Sequence, residues 1–175
     1  LTLSVVPGIP LIAPGDDLGA IIIAAIDKAG LQPRAGDIVV VAQKVVSKAQ
    51  GRYVDLAAIV PSARAEELAV AVEKDPRLVE VILSESVRVV RQHPRILIVE
   101  HRSGYITANA GGDRSNVAAS PSRDVVLLLP TDPDAAAEDL RMQMEKHFHE
   151  PLGVIVSDSF GRPWRRGTVG VALGS

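Results

Sequence analysis

Apolar positions along this chain switch between two periods. Leu18, Ile21, Ile22, Ala25 and Ile26 recur at the spacing of one helix face, with Asp16 or Asp17 placed to cap its start and Gly30 to end it. Ser62 caps a second helical run over ARAEELAVAVEKD, and a third covers Leu78 to about Val90, with Pro94 marking its break. DPDAAAEDLRMQMEKHF is a fourth helix, opened by acidic residues that suit its positive end. Between these runs lie strand patterns: Thr2 to Val6 closed by Pro7-Gly8, DIVVVAQ from Asp37, DVVLLLP from Asp124, GVIVSDS and TVGVALG. DIVVVAQ and DVVLLLP read as buried strands, and RILIVEHRSGYITANA as a hairpin turning at Ser103-Gly104. Strands and helices mix along the whole length without an internal repeat or a low-complexity linker. The predicted class is therefore α/β (mixed α+β), mixed β-sheets with flanking helices, in a single domain over residues 1–175. The direction of strand pairing stays open.

Composition narrows the function classes. With 175 residues and 47% hydrophobic content the chain can bury a core. Lysine and arginine number 19 against 21 acidic residues, so no basic field recommends nucleic acid as a partner. There is no cysteine, which excludes disulfides, thiolate catalysis and cysteine-rich zinc sites. The longest apolar runs are too short to span a bilayer and LTLSVVPG lacks the regions of a signal peptide, so no membrane partner is expected and the setting is cytoplasmic. Leu1 is not an initiator methionine, and VALGS stops in the middle of an apolar pattern, so both ends read as trimmed.

Four polar clusters, each after a strand, carry the candidate chemistry on loops: GIPLI with PGDD, QKVVSKAQGR, NAGGDRSN, and SDSFGRPWRRG. In QKVVSKAQGR, Lys44 and Lys48 stand four apart, either as solvated charges or as a clamp on phosphates. The chain has no GxxxxGK[ST] spacing, so a nucleotide site would not be of the P-loop type. In NAGGDRSN the glycines permit positive torsions, Asp113 offers a hard oxygen ligand and Asn116 a hydrogen-bonding amide; an Asx turn is the structural alternative. In SDSFGRPWRRG, Asp158 closes an apolar strand between Ser157 and Ser159, and Arg162, Arg165 and Arg166 follow. A carboxylate for a cation beside guanidinium forks for anionic oxygens suits a metal-bound phosphate or carboxylate, with a local salt bridge as the alternative. Two such aspartates favour a joint divalent metal site over unrelated turns. His93, His101, His147 and His149 form no ligand set, and Trp164 either stacks on a flat ring or covers core.

The ordered segments GIPLI-x-PGDDL, SKAQGR, NAGGDRSNV, LLPTDPDAAAEDLR and GVIVSDSFGRPWRRGTVGVALG resemble the coenzyme F420:L-glutamate ligase family over nearly the whole chain. The resemblance implies that family's fold and a homodimer. It also implies a GTP-dependent ligase that activates the terminal carboxylate of the deazaflavin precursor as an acyl phosphate, which the amine of L-glutamate attacks. The implied cofactors are Mg2+ or Mn2+, with K+ as a further ion. By position, Ile9, Pro10, Leu11, Ile12, Gln43, Lys44, Lys48 and Asn116 correspond to nucleotide-binding residues, and Asp113, Asp158 and Ser159 to the metal site. Asp113, Asp158 and Lys48 are the candidate catalytic residues, and Arg162, Arg165 and Arg166 the candidate substrate contacts. Ser159 stands where the family pattern has threonine and keeps the hydroxyl. Family members continue past the equivalent of Ser175, so the ligase domain reads as incomplete at its C-terminus. The alternatives are the ligase half of a protein fused to a flavin-binding reductase domain, and a nucleotide- or deazaflavin-binding module without turnover.

Overall fold

The computed structural model describes residues 1–114, 124–161 and 167–175. These divide into two compact units, one made of Leu1–Gly51 with Pro130–Ser175 and the other of Arg52–Leu129.

The first unit is built on a three-stranded mixed sheet. β1 (Ile38–Ala42) pairs in parallel with β7 (Gly153–Gly161), which pairs antiparallel with β8 (Thr168–Gly174). α1 (Leu18–Lys28), α2 (Gln43–Ala49) and α5 (Pro133–Phe148) complete it. Asp17 caps α1 by accepting from the Ala20 amide at 3.0 Å, and Asp132 caps α5 by accepting from Ala135 at 2.9 Å. At the end of α1, Gly30 (φ +67°) donates to Asp27 and Leu31 to Ile26, which satisfies two terminal carbonyls. The core joins Ile22 and Ile26 of α1, Leu140 and Met144 of α5, and Val41, Val154 and Val156 of the sheet.

In the second unit, β2 (Tyr53–Asp55) pairs antiparallel with β6 (Val125–Leu127). β3 (Ser86–His93), β4 (Ile96–His101) and β5 (Ile106–Ala108) form an antiparallel sheet. α3 (Ala63–Val72) and α4 (Pro76–Ser84) pack on it through Leu68, Val72, Val79 and Ile82 against Leu97 and Val99. Ser62 caps α3 by accepting from Ala65, and Gly104 (φ +85°) turns the β4–β5 hairpin where Ser103-Gly104 predicts it.

Five expectations change. Thr2–Val6 forms no strand: Leu3 and Val5 are exposed and make no ladder bonds. The helix expected from Leu78 to about Val90 stops at Ser84, and SVRVVRQH becomes β3, because its β-branched residues pair in register with ILIVEH. QKVVSKA is helix α2, not a loop. DIVVVAQ does form a strand, but β1 lies at a sheet edge with Ile38 and Val40 exposed and only Val41 buried. Asp158 lies inside β7, which runs on to Gly161 because β8 pairs along it.

Local packing and backbone conformation together dictate the glycine at 111. Gly111 has φ +72°, and a Cβ there would lie 2.7 Å from Leu129 side-chain carbons. Gly111→Ala is expected to destabilise the protein by more than about 2 kcal/mol, adding a steric clash to the cost of a left-handed alanine. Urea unfolding with an unchanged midpoint would contradict this.

Candidate functional site

Parallel pairing organises the chemistry of the first unit. Ala42, the last residue of β1, is in register with Ser157 of β7, so the start of α2 leaves the sheet beside Asp158 and Ser159. In α/β sheets the carboxyl ends of parallel strands are where ligands bind, because loops and helix starts diverge there and leave a crevice. α2 carries two functional rows. Gln43 and Ser47 are buried and joined, with Ser47 Oγ donating to Gln43 Oε1 at 3.0 Å. Lys44 and Lys48, also one turn apart, are half-buried. The segment before α1 packs onto this helix: Ile12 is buried in one cluster with Val46 and Val41, Ile9 packs against that cluster, and Gly15 donates to Ala49 at 2.8 Å. Pro10 and Leu11 stay exposed. Thus Ile9–Ile12, Gln43, Lys44 and Lys48, spread over forty residues of sequence, are gathered around one helix.

Asp158 and Ser159 are consecutive residues of β7, so their side chains leave opposite faces. Asp158 shares strand parity with buried Val156 and Phe160, and its Oδ1 accepts from the Ser159 amide at 2.8 Å. Asn116, Trp164, Arg162, Arg165 and Arg166 lie outside the described residues.

Asp113 belongs to the second unit, where the backbone of NAGGD is unusual. Asn109, Ala110 and Gly111 have φ of 52°, 53° and 72° in succession. Asparagine tolerates this region, but alanine pays of order 1–3 kcal/mol for it. The turn persists because it is held on every side. Ala110 is buried in the helix–sheet core, Gly111 sits against Leu129, and Asp113 exchanges two 2.9 Å backbone hydrogen bonds with Leu127. A carboxylate is thereby delivered from a fixed backbone point. A pocket of about 510 Å³ opens here, with Lys74, Asp75, Leu78, Asn109, Asp113 and Arg114 among its walls. Asp75 is gripped by Arg77 through Nη2 at 2.6 Å and Nε at 3.1 Å, and that hydrogen bond holds its carboxyl below the usual carboxylate range.

Among the described residues no three histidine, aspartate or glutamate side chains cluster as a ready-made metal cage. Mg2+ is commonly held by one or two carboxylates together with substrate phosphates, and Asp113 of the second unit and Asp158 of the first each offer a carboxylate of the type such an ion takes. The histidines serve elsewhere. His147, in the last turn of α5, lies 2.9 Å from Asp27, and His101 is buried beside Glu85. Sequence reasoning missed Lys74, Asn109 and Arg114 as pocket residues. The only signal for Asn109 was its place in NAGGDRSN, and Lys74 gave none, being one of many charged residues near a helix end. Among the described residues no helix is long and apolar enough to cross a membrane.

A family model described as F420-0:Gamma-glutamyl ligase matches residues 8–175. The coenzyme F420:L-glutamate ligase of Methanothermobacter thermautotrophicus is 42% identical over 172 residues, covering 97% of this chain and 66% of that protein. The protein of the same name from Haloarcula marismortui is 45% identical over 175 residues, covering 97% and 64%. That from Methanocaldococcus jannaschii is 42% identical over 139 residues, covering 79% and 54%. The chain thus spans just under two thirds of the first of these relatives, and less of the other two. With a family match over nearly its whole length and identities above 40%, the chain belongs to the F420-0:gamma-glutamyl ligase family.

Proposed function

We propose that this chain carries the nucleotide-handling part of a ligase that joins L-glutamate to the deazaflavin precursor F420-0, using GTP and a divalent cation and passing through an acyl phosphate. The observation that supports it most directly is the gathering of Ile9–Ile12, Gln43, Lys44 and Lys48 around α2, at the carboxyl end of the parallel pair that also presents Asp158. The proposed assembly is a homodimer and the proposed setting the cytoplasm.

The residues suit that chemistry. A carboxylate is a poor electrophile, and moving a phosphoryl group onto it brings two anions together, so positive charge must surround the transferring group. Lys44 and Lys48 project from one row of α2 and would neutralise phosphate oxygens, while Gln43 and Ser47, on the neighbouring row, are buried and hydrogen-bonded to each other. Ile9 to Ile12 offer apolar and backbone surface to the flat nucleoside. Asp113 and Asp158 would hold Mg2+ or Mn2+, with Ser159 a further oxygen donor. A bound divalent ion supplies charge neutralisation on phosphate oxygens. Because Ser159 leaves the strand on the face opposite Asp158, its hydroxyl is the weaker contributor. Attack by the glutamate amine and loss of phosphate would complete amide formation.

Lys48→Ala tests the nucleotide assignment. Losing one charge-assisted contact to phosphate is worth roughly 1.5–3 kcal/mol, so affinity for GTP is expected to fall about 10- to 100-fold while the melting temperature moves little. Titration calorimetry and thermal unfolding measure both. A collapsed melting temperature with unaltered GTP affinity would make Lys48 a structural residue. GTP binding without phosphate release or glutamate incorporation would favour a binding module.

A further inference from the structure

The three-stranded sheet of the first unit is packed on one side only. α1 and α5 lie against the side that carries Val41, Val154 and Val156. On the other side, register places Ile38 beside Gly153 and Val40 beside Ile155, and Gly170 and Ala172 continue that side on β8. Ile38 is 59% and Val40 63% exposed, and Gly170 and Ala172 face solvent as well. No residue whose side chain leaves the three strands on this side is Lys, Arg, Asp or Glu.

A face of this chemistry needs a cover. Parallel strand pairs occur almost only in sheets whose two faces are both covered by elements of the fold, and β1 and β7 are such a pair. Edge strands that meet water are blunted by charge, proline or a bulge; β1, IVVVA, has none of these and keeps unbroken register over its five residues. The absence of charge excludes nucleic acid or an acidic segment as the cover. The small residues Gly153, Gly170 and Ala172 leave a surface on which a helix or a second sheet packs closely, and an exposed apolar patch of this kind marks an interaction site. The length of the relatives points to the occupant. The matched stretch is 66% of the Methanothermobacter protein and 64% of the Haloarcula protein, so about a third of each lies outside it. Both matches run over 97% of this chain, so those proteins share the sequence of this sheet and carry a further segment that must bury its own apolar side.

We propose that the open face around Ile38, Val40 and Ile155 docks the polypeptide segment that these relatives carry outside the matched stretch, through apolar side chains and without ion pairs. The inference concerns an interaction surface and stands apart from the ligase reading.

Co-expression of the 175-residue chain with a tagged polypeptide made of the part of the Methanothermobacter protein outside the match tests it. Light scattering is expected to show a one-to-one complex, and hydroxyl-radical labelling of Ile38 and Val40 to fall several-fold on its formation. Val40→Glu is expected to weaken the complex about 100-fold, because its carboxylate would be buried in an apolar interface without a partner. The melting temperature of the chain alone should change little, since Val40 is exposed. Val60→Glu, at an exposed valine of the other unit, should leave the complex intact. No complex, or one that Val40→Glu does not weaken, overturns the inference. A chain that dimerises alone with Ile38 and Val40 protected, and that Val40→Glu makes monomeric, overturns it by giving the face to a second copy.

Discussion

Asp113→Asn is expected to lower metal-dependent phosphate release by roughly two orders of magnitude, beyond the ~10- to 100-fold that groups merely supporting a metal ligand already cost, and to leave thermal stability nearly unchanged. The substitution keeps shape and removes one negative charge. The backbone should not notice, because Asp113 is held through its amide and carbonyl to Leu127, bonds that do not involve the side chain. If the aspartate only organised a turn, asparagine would replace it at little cost, since both residues form Asx turns. The strained run from Asn109 to Gly111 argues for more than a turn. Alanine at positive φ, as at Ala110, is costly, and such strain survives where the surroundings over-determine it, commonly at sites. Asp158→Asn is expected to behave alike and Ser159→Ala to lose less. Phosphate release over a Mn2+ titration, with the melting temperature of each variant, decides the matter. An Asp113→Asn protein with full turnover and metal affinity would return NAGGD to the class of ordinary turns.

Much of this arrangement was legible from residue pattern, for reasons particular to each element. α1, α3 and α5 carry their own signals, polar starts before amphipathic runs: α1 is capped by Asp17, one of the two aspartates the sequence offers, α3 by Ser62 as expected, and α5 opens at the acidic stretch expected, with Asp132 as its cap. The Ser103-Gly104 hairpin follows from a residue able to take φ +85° between two alternating runs. What failed is what local pattern leaves undetermined. Val79, Ile82, Leu83, Val87 and Val90 fit a helical period, and only pairing with β4, a contact outside the segment, makes Ser86–His93 a strand. The reverse holds for α2, where two lysines and a serine in a short run look like a loop until the buried faces of Gln43, Val46 and Ser47 are seen together. Candidate residues near recognisable motifs could be named in advance. Lys74 could not be named as a pocket residue, because the wall it joins is completed by a turn more than thirty residues further on.

The buried cluster around Glu85 was equally invisible in the sequence, and it leads to the largest stability effect expected of any charged residue here. Glu85 is 5% exposed at the end of α4. Arg52 Nη2 donates to its Oε2 at 2.8 Å, Arg102 donates to Oε1, and His101 Nε2 lies 3.6 Å from Oε2. The Ser103 amide donates to His101 Nδ1 at 3.1 Å, which leaves the ring proton on Nε2, facing Glu85. Arg52 also donates from Nε to the Leu129 carbonyl, so this carboxylate anchors the residue that ties the first and last segments of the unit together. Burial pushes the Glu85 carboxyl up, but the His101 imidazole beside it and the charges of Arg52 and Arg102 outweigh it and hold the group below the usual carboxylate range. A depressed value in the folded state means stabilisation that is present above the unfolded value of about 4.3 and is lost as pH falls through the lower folded value. Glu85→Gln keeps the volume and removes the charge, leaving Arg52 and Arg102 without their carboxylate. Breaking a buried pair costs about 3–5 kcal/mol; since Arg102 is 52% exposed and regains water, a loss of about 2–3 kcal/mol is expected here. At neutral pH that lowers the melting temperature by roughly 5–10 °C for a chain of this size. The gap between wild type and Glu85→Gln should then hold from pH 7 down to the unfolded carboxylate value and close as the pH falls on through the lower folded value, because protonation removes from the wild type the charge that the substitution removes from the variant. A gap that stays constant across that range would show that packing, and not the carboxylate charge, is what Glu85 contributes.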